Sequence, residues 1–454
     1  IAALPGYEHA SDDTVDAVLE EAAKLAGNGL APLNRDGDKV GARLENGVVR
    51  TAPGFTGIYK EFVDGGWNSL PFDPEFGGQG MPWLLATTVQ EMWQAANMGF
   101  GLVLLLNQGA IDAIHHHGSA EQKATYLPRM ISGEWTGTMN LTEPQAGSDL
   151  GQLKSRAVKD GDHYKITGQK IFITYGEHDL TDNIIHFVLA RLPDAPPGNK
   201  GISLFLVPKF LLKPDGTPGE RNDARAHSIE HKMGIHGNAT CQMVLDKAVG
   251  SLVGQPNKGL AAMFVMMNAA RIGVGMQSLG LTEVAYQNAL AYAKERIQSR
   301  SLSGVKNPAQ PADSILVHPD VRKMLLTAKA YAEGGRALNL YCALLVDQEL
   351  HHPDEAERKQ AAEMVAMLTP IVKAFITDNG WIATSACMQV LGGHGFISEW
   401  GMEQFVRDAR INMIYEGTNT IQSLDLLGRK VLGNQGATLK KFGKHIADLA
   451  AEEA

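Results

Sequence analysis

From Ser11 to Ala26 the apolar positions Val15, Val18, Leu19, Ala22, Leu25 and Ala26 recur on one helical face, with Ser11 placed to cap the first turn and Gly27 to end the last. The same period returns over Gly54 to Asp64, Trp83 to Ala96 and Leu102 to His117, interrupted by Gly/Pro punctuation such as PFDPEFGGQGMP. These segments predict a helical first domain over residues 1–136.

The period then shortens. Ser155 to Val158 and His163 to Ile166, joined across AspGly, are followed by β-type runs at Ile171 to Thr174, Ile184 to Leu189, Gly201 to Val207 and Gln242 to Leu245. They predict a compact antiparallel β domain over 137–253, in which the Pro/Gly stretches at Pro193 to Gly201 and Lys213 to Gly219 are loops. Strand alternation would point Phe172 and Thr174 to one face, an aromatic and a hydroxyl able to meet the same flat ligand.

After Pro256 helical patterning resumes at Lys258 to Ser299, His318 to Gln348, Glu355 to Leu391 and Glu399 to Ile411, with shorter pieces after Thr418. Long helices with short connections predict an antiparallel bundle over 254–454. Gly273, Gly275 and Gly280 predict close helix packing, and Pro370 a kink. The expected fold is α+β and mainly α: helical domain, antiparallel β domain, helical bundle.

Composition narrows the classes. A chain of 454 residues can bury substantial cores without disulfides, and its three cysteines, Cys241, Cys342 and Cys387, show no CxxC pairing. A reducing cytoplasm fits that usage best. The net charge of -9 disfavours nucleic acid or an anionic membrane as partner, although a local basic pocket for an anion is compatible with it. The apolar stretch Phe100 to Leu106 is too short to cross a bilayer, so no membrane span is expected. The N-terminal IAALPGYEHA lacks both an initiator Met and a signal-peptide pattern, which reads as a processed or incomplete start.

Chemistry concentrates in a few segments. In IYEGTNTIQ, residues 414 to 422, one carboxylate, Glu416, stands before Gly417 among hydroxyl, amide and apolar groups; burial there would raise its pKa toward neutrality. A solvated loop carboxylate beside a turn glycine is the plainer alternative. TEPQAGSDL, residues 142 to 150, gathers hydroxyls and a backbone-exposing Gly147 suited to a phosphate or heterocycle, though a capped turn has similar composition. QVLGGHGFISEWG at 389 to 401 offers glycines for close backbone approach or a helix C-cap, and lacks the GxGxxG spacing of a dinucleotide fold. His115, His116 and His117 point in different directions on a helix and do not suggest a metal site. No GxSxG, HExxH or P-loop lysine motif occurs.

Taken in order, TEPQAGSDL, GQKIFIT, KMG at 232 to 234, KERIQSR at 294 to 300, QVLGGHGF and IYEGTNTIQ resemble the acyl-CoA dehydrogenase flavoproteins over almost the whole chain. The resemblance implies FAD as cofactor, an acyl-CoA substrate, an electron-transfer flavoprotein as electron acceptor and a homodimer or homotetramer. It implies flavin contacts from Met139, Leu141, Thr142, Phe172 and Thr174, with Ser148 near the FAD pyrophosphate and the substrate. Arg296, Gln389 and Gly393 would cradle the FAD of a neighbouring subunit, and Thr418 would lie near the adenine portion. Glu416 matches the family's catalytic base, with Arg271, Tyr415 and Gly417 toward the substrate. Members that take the base from a bundle helix carry it just before an Arg; here that position, before Arg271, is Ala270, which cannot accept a proton. Arg271 would stabilise ionised Glu416 and oppose the effect of burial.

HKMGIHGNATC and NKGLAAMFVMMNAARIGVG look most like the longer bacterial branch that includes 3-methylmercaptopropionyl-CoA dehydrogenases of dimethylsulfoniopropionate degradation, whose members carry additional C-terminal sequence. The expected reaction is α,β-dehydrogenation of an acyl-CoA to the trans-2-enoyl-CoA. Alternatives are an acyl-CoA oxidase, a non-catalytic flavin or acyl-CoA binder, and a ligand-free bundle. Met263, Met266 and Met267 are candidates for a soft acyl pocket, with ordinary core packing as the plainer reading.

Overall fold

The computed structural model describes residues 2–452, so Ile1 and Ala454, which bound the expected outer domains, lie outside it. Helix α1, Asp12–Lys24, opens as expected, with Ser11 Oγ accepting the Thr14 N–H at 3.3 Å. Gly27 does not end it. The chain continues through a π-helical turn, Leu25–Leu30, into α2, Ala31–Val40, and stops at Gly41 (φ 69°). A mid-helix glycine costs only about 1 kcal/mol, and burial of Ala26 and Leu30 carries the helix past it.

Strands β1 (Arg43–Glu45) and β2 (Val48–Arg50) form a hairpin that the periodicity did not reveal, although its Asn46-Gly47 turn, φ 52° and 78°, is a strong hairpin signal. Helix α3 covers Phe55–Asp64. The two helices expected between Trp83 and His117 are one element, α4, broken internally at Asn97 (φ −160°, ψ 88°). Helix α5, Ala120–Ser132, follows with a Ser119/Gln122 capping box.

The strands β3 (Trp135–Asn140), β4 (Arg156–Asp160), β5 (His163–Thr174), β6 (Asn183–Ala190) and β7 (Ser203–Pro208) precede a short β8/β9 hairpin (Phe210–Leu212, Pro218–Arg221). β10 (Ala224–Ile229) and β11 (Thr240–Val253) complete a seven-stranded sheet of order β3-β6-β7-β11-β5-β4, with β10 also on β11. It is antiparallel except for one pair, because β3 and β6 run parallel. That pair corrects the purely antiparallel expectation: the fully buried β3 shows no alternation by which to be found. Ile166, Val188, Phe205, Val207 and Leu245 fill the sheet core.

Long helices follow: α6 (Gly259–Glu295), α7 (Pro319–His351) and α8 (Glu355–Val390), then α9 (Gly393–Phe396), α10 (Met402–Ala409), α11 (Asn419–Leu424) and α12 (Ala437–Glu452). α8 runs through Pro370 without a break. Gly280 does mark a close approach, since a Cβ there would meet the Ala95 nitrogen at 2.8 Å and Glu91 O at 3.0 Å. By length and composition alone both α4 and α6 could cross a membrane, although the apolar run Phe100 to Leu106 could not; their apolar windows are 83% and 56% buried within the protein, as in core helices.

By internal contact the chain divides into two units. One comprises Ile1–Ala23, Pro82–Met98 and Arg271–Ala454; the other, Lys24–Met81 and Gly99–Ala270. In the first, buried Asp347 accepts from Tyr7 Oη at 2.7 Å and from the N–H groups of Trp83 and Leu84 at 2.7 and 2.9 Å, closing the start of α4 onto α7.

Candidate active site

In the sheet unit, TEPQAGSDL and GQKIFIT are held side by side. The Ile171 N–H donates to Thr142 O at 2.9 Å, and Glu143 and Ala146 close a tight turn through reciprocal backbone bonds. The core of this arrangement is an ion pair between Glu143 and Lys170, 3% and 0% exposed. The Lys170 ammonium has three protons and three acceptors: Glu143 Oε1 at 2.8 Å, Leu189 O at 2.7 Å and Leu141 O at 3.1 Å. Glu143 also accepts from the Lys154 and Ser155 N–H groups and Gln145 Nε2, at 2.6, 3.1 and 2.6 Å. Burial is the largest influence on this carboxyl and pushes it up, yet the Lys170 charge and the donors together hold it down at about 2.

The loop fixed in this way presents unused groups. The hydroxyls of Thr142, Ser148 and Thr174 make no hydrogen bond within the described residues. Gly147 faces open space. Met139 is buried in β3, and Leu141 contributes its carbonyl to Lys170. At Phe172 the strand is irregular: Cys241 pairs with Ile173 but Met243 with Lys170, so Ile171 and Phe172 oppose Gln242 alone. Phe172 takes φ 60° and stands 59% exposed, while neighbouring Ile173 is buried. A bulky residue in the left-handed region costs on the order of 1–3 kcal/mol and is found where function requires it.

In the bundle unit, the turn after the α10 segment gathers Tyr415, Glu416, Gly417 and Arg271. Glu416 and Gly417 are consecutive left-handed residues, φ 54° and 83°. Gln422 Nε2 donates to their carbonyls at 3.3 and 2.9 Å. Any side chain at 417 would meet Gln422 Nε2 at 2.8 Å and come within 3.8 Å of Arg271 Nη2. The Tyr415 hydroxyl is held inside the bundle by Gln277 Oε1 and lies 3.0 Å from Asn412 Oδ1. Arg271, 3% exposed, is ion-paired to Asp425 at 3.0 Å.

Neither the Glu416 carboxylate nor its N–H is engaged in a hydrogen bond or ion pair within the described residues. Burial raises the carboxyl to about 7, against the opposing charges of Arg271 and then Lys373. The sign left open by sequence is therefore upward. Lys373 was not anticipated; its signal was a lone cation in the apolar run TPIVKAFI of α8. Glu143 and Lys170 were likewise missed inside motifs already singled out.

Three other anticipated residues lie at one end of the bundle. The Tyr292 hydroxyl meets His394 Nδ1 at 2.9 Å, setting the Gly393 loop against the last turns of α6, and the Arg296 N–H bonds Tyr292 O at 2.8 Å. The side chains of Arg296 and Gln389 are exposed and make no hydrogen bond within the described residues. Thr418 is occupied as the N-cap of α11, accepting from the Ile421 N–H at 3.4 Å. Met263 and Met266 are fully buried, as in ordinary core packing.

The chain matches the family descriptions "Acyl-CoA dehydrogenase, N-terminal domain" over residues 12–134, "Acyl-CoA dehydrogenase, middle domain" over 138–248 and "Acyl-CoA dehydrogenase, C-terminal domain" over 257–432. It is 49% identical over 453 residues to 3-methylmercaptopropionyl-CoA dehydrogenase of Ruegeria pomeroyi, covering 100% of this chain and 76% of that protein. The chain belongs to the acyl-CoA dehydrogenase family. Among solved structures, this acyl-CoA dehydrogenase resembles butyryl-CoA dehydrogenase from Megasphaera elsdenii, with TM-score 0.72 and 25% identity over 92% of this chain and 98% of that one. It also resembles a chain in a structure described as the electron transferring flavoprotein of Acidaminococcus fermentans, with TM-score 0.76 and 26% identity over 93% and 98%.

Acyl-CoA dehydrogenases are FAD-dependent oxidoreductases, and FAD is the cofactor of this one. The residues fit it: a flavin needs an apolar face and polar edge contacts, and the sheet unit offers exposed Phe172 together with the unengaged hydroxyls of Thr142 and Thr174.

Proposed function

We propose that this acyl-CoA dehydrogenase uses Glu416 as the base for the α-proton of a short or medium acyl-CoA, 3-methylmercaptopropionyl-CoA being the first candidate. The observation that carries the assignment is the carboxyl of Glu416, desolvated, raised to about 7 and free of any ion pair among the described residues. A base with a pKa near the working pH is both ionised and strong enough to act. Ala270 at the alternative base position leaves no competitor there. The unengaged Glu416 N–H supports a second role, donation to the thioester oxygen as charge develops on it. Phe172, Thr142 and Thr174 would hold the flavin and Ser148 its pyrophosphate. When bound, FAD accepts the hydride from the β-carbon, which no side chain could do.

The substrate preference rests on the 49% identity to the Ruegeria pomeroyi protein. Electron-transfer flavoprotein is the proposed electron acceptor, in keeping with the Acidaminococcus fermentans structure. A homo-oligomer is supported by the apolar residues beside Gly393, where Phe396, Ile397 and Trp400 are 80%, 45% and 47% exposed. Anaerobic bleaching of the flavin across a panel of acyl-CoAs tests the reading. 3-Methylmercaptopropionyl-CoA and butyryl-CoA should bleach fastest, and a long-chain preference would overturn the substrate assignment. Turnover with electron-transfer flavoprotein should exceed peroxide formation in air; the reverse would indicate an oxidase.

A further inference from the structure

Two cations act on Glu416, and they are not equivalent. Arg271 on α6 has the larger direct pull, but its charge is shared with Asp425, 3.0 Å away and equally buried; Asp425 also meets Arg429 at 3.4 Å. Lys373 on α8 is 0% exposed, and its ammonium has a single hydrogen-bond acceptor, Asn419 Oδ1 at 2.8 Å. Among the described residues no carboxylate lies within ion-pairing distance of it, with Asp378 acting only at longer range. Asn419 is the first residue of α11, three positions after Glu416, and its Nδ2 is anchored to α8 through Thr377 Oγ1 at 3.0 Å and Asp378 Oδ1 at 2.6 Å.

We propose that Lys373 is a positioning residue for the base, clamping the Glu416 turn through Asn419 and supplying the one positive charge beside it that no contacting carboxylate neutralises. This rests on Glu416 being the base. The clamp has a reason: Glu416 holds a strained left-handed backbone just before Gly417, and Gln422 secures only the two carbonyls. The charge has a reason too. A buried ammonium with two unused protons is costly unless something nearby benefits from it, and here that is the ionised form of Glu416. Burial lowers Lys373 to about 8, while the charges of Glu416 and then Asp378 resist, so it is still cationic where Glu416 titrates. The other groups facing the site, Arg271, Asp425, Arg429 and the Tyr415 hydroxyl, are unchanged by substitutions at 373.

The test compares FAD-loaded wild type with Lys373→Gln, Lys373→Arg, Asn419→Ala and Glu416→Gln. Lys373→Gln keeps a donor for Asn419 but removes the charge, so the acid limb of the kcat–pH profile should move up by about one pH unit. KM at high pH should stay within about twofold, and Lys373→Arg should leave the limb in place. Asn419→Ala should lower kcat about tenfold with the limb unmoved. Independently of turnover, the fall of Tm with rising pH should move up in Lys373→Gln and vanish when Glu416→Gln is added. An unmoved limb in Lys373→Gln, or an unmoved Tm profile should that variant lack turnover, overturns the proposal. Normal turnover by Glu416→Gln would instead sink the base assignment itself, so the two failures are distinct.

Discussion

Glu143 in the sheet unit is buried and Glu416 in the bundle unit half-buried, and loss of hydration pushes both carboxyls toward the neutral form. They end far apart, at about 2 and about 7. The difference lies in contact. Glu143 receives three N–H donors and an ammonium, all within 3.1 Å. Glu416 receives none within the described residues and feels Arg271 and Lys373 only at longer range. Direct hydrogen bonds commit a buried carboxylate to structure, whereas charge kept at a distance leaves it able to exchange a proton.

The sharpest way to break the comparison is to remove each carboxylate in turn. Glu416→Gln should keep its yellow colour yet lose about 10²–10⁴-fold or more in the rate of anaerobic bleaching by acyl-CoA. Its Tm at pH 8 should not fall, because a desolvated charge has been removed. Normal bleaching would end its claim to be the base. Glu143→Ala should behave in the opposite way. It strands the Lys170 ammonium in the sheet interior, which costs about 3–5 kcal/mol, so soluble protein should unfold at markedly lower denaturant and purify with depleted flavin. Replacing both partners with apolar residues should recover much of that stability, since the cost lies in the orphaned charge.

The same contrast predicts opposite pH responses. Glu143 binds its proton more weakly folded than unfolded, so its contribution is complete above about 4.5 and is lost as pH falls toward 2. Glu416 binds its proton more tightly when folded. Its contribution is complete below about 4.5 and is lost as pH rises through 7, amounting to at most about 3 kcal/mol. Denaturation midpoints of wild type and Glu416→Gln should therefore diverge from pH 5 to 8 in favour of the variant. Over the same range kcat should rise about tenfold per pH unit below 7 and then level off. A flat kcat profile would separate the titration of Glu416 from catalysis.

What the sequence made legible followed the same division. Amphipathic helices α1, α3, α7 and α8 were readable because one face repeats. The fully buried β3 and its parallel pairing with β6 were not, because a strand covered on both faces carries no alternation. Glu416 stood out as the single carboxylate of its segment, and the family motifs singled out Thr142, Phe172 and Thr174 as expected flavin contacts. Phe172's left-handed backbone came from a bulge set by pairing with β11, a strand about seventy residues away, which local pattern cannot encode. Lys373, Asn419, Glu143 and Lys170 were missed for one reason: each acts through a partner distant in the chain, 46 residues for Lys373 and Asn419, 27 for Glu143 and Lys170.

The smallest effect concerns Thr418, two residues after Glu416. The family resemblance places it near the adenine of FAD, but its hydroxyl already accepts the Ile421 N–H as the N-cap of α11. Losing such a cap costs about 1 kcal/mol. Thr418→Ala should therefore lower Tm by a few degrees, while Thr418→Ser, which keeps the cap, should not. Because α11 begins at Asn419, the partner of Lys373, fraying it should also loosen the Glu416 turn and reduce kcat by a few-fold. If Thr418→Ala instead weakens FAD binding at least tenfold with Tm unchanged in the FAD-free protein, the hydroxyl serves the cofactor and not the helix. Equal loss in the Ala and Ser variants would point to the methyl-bearing side of Thr418, a packing role that neither the cap nor the adenine contact predicts.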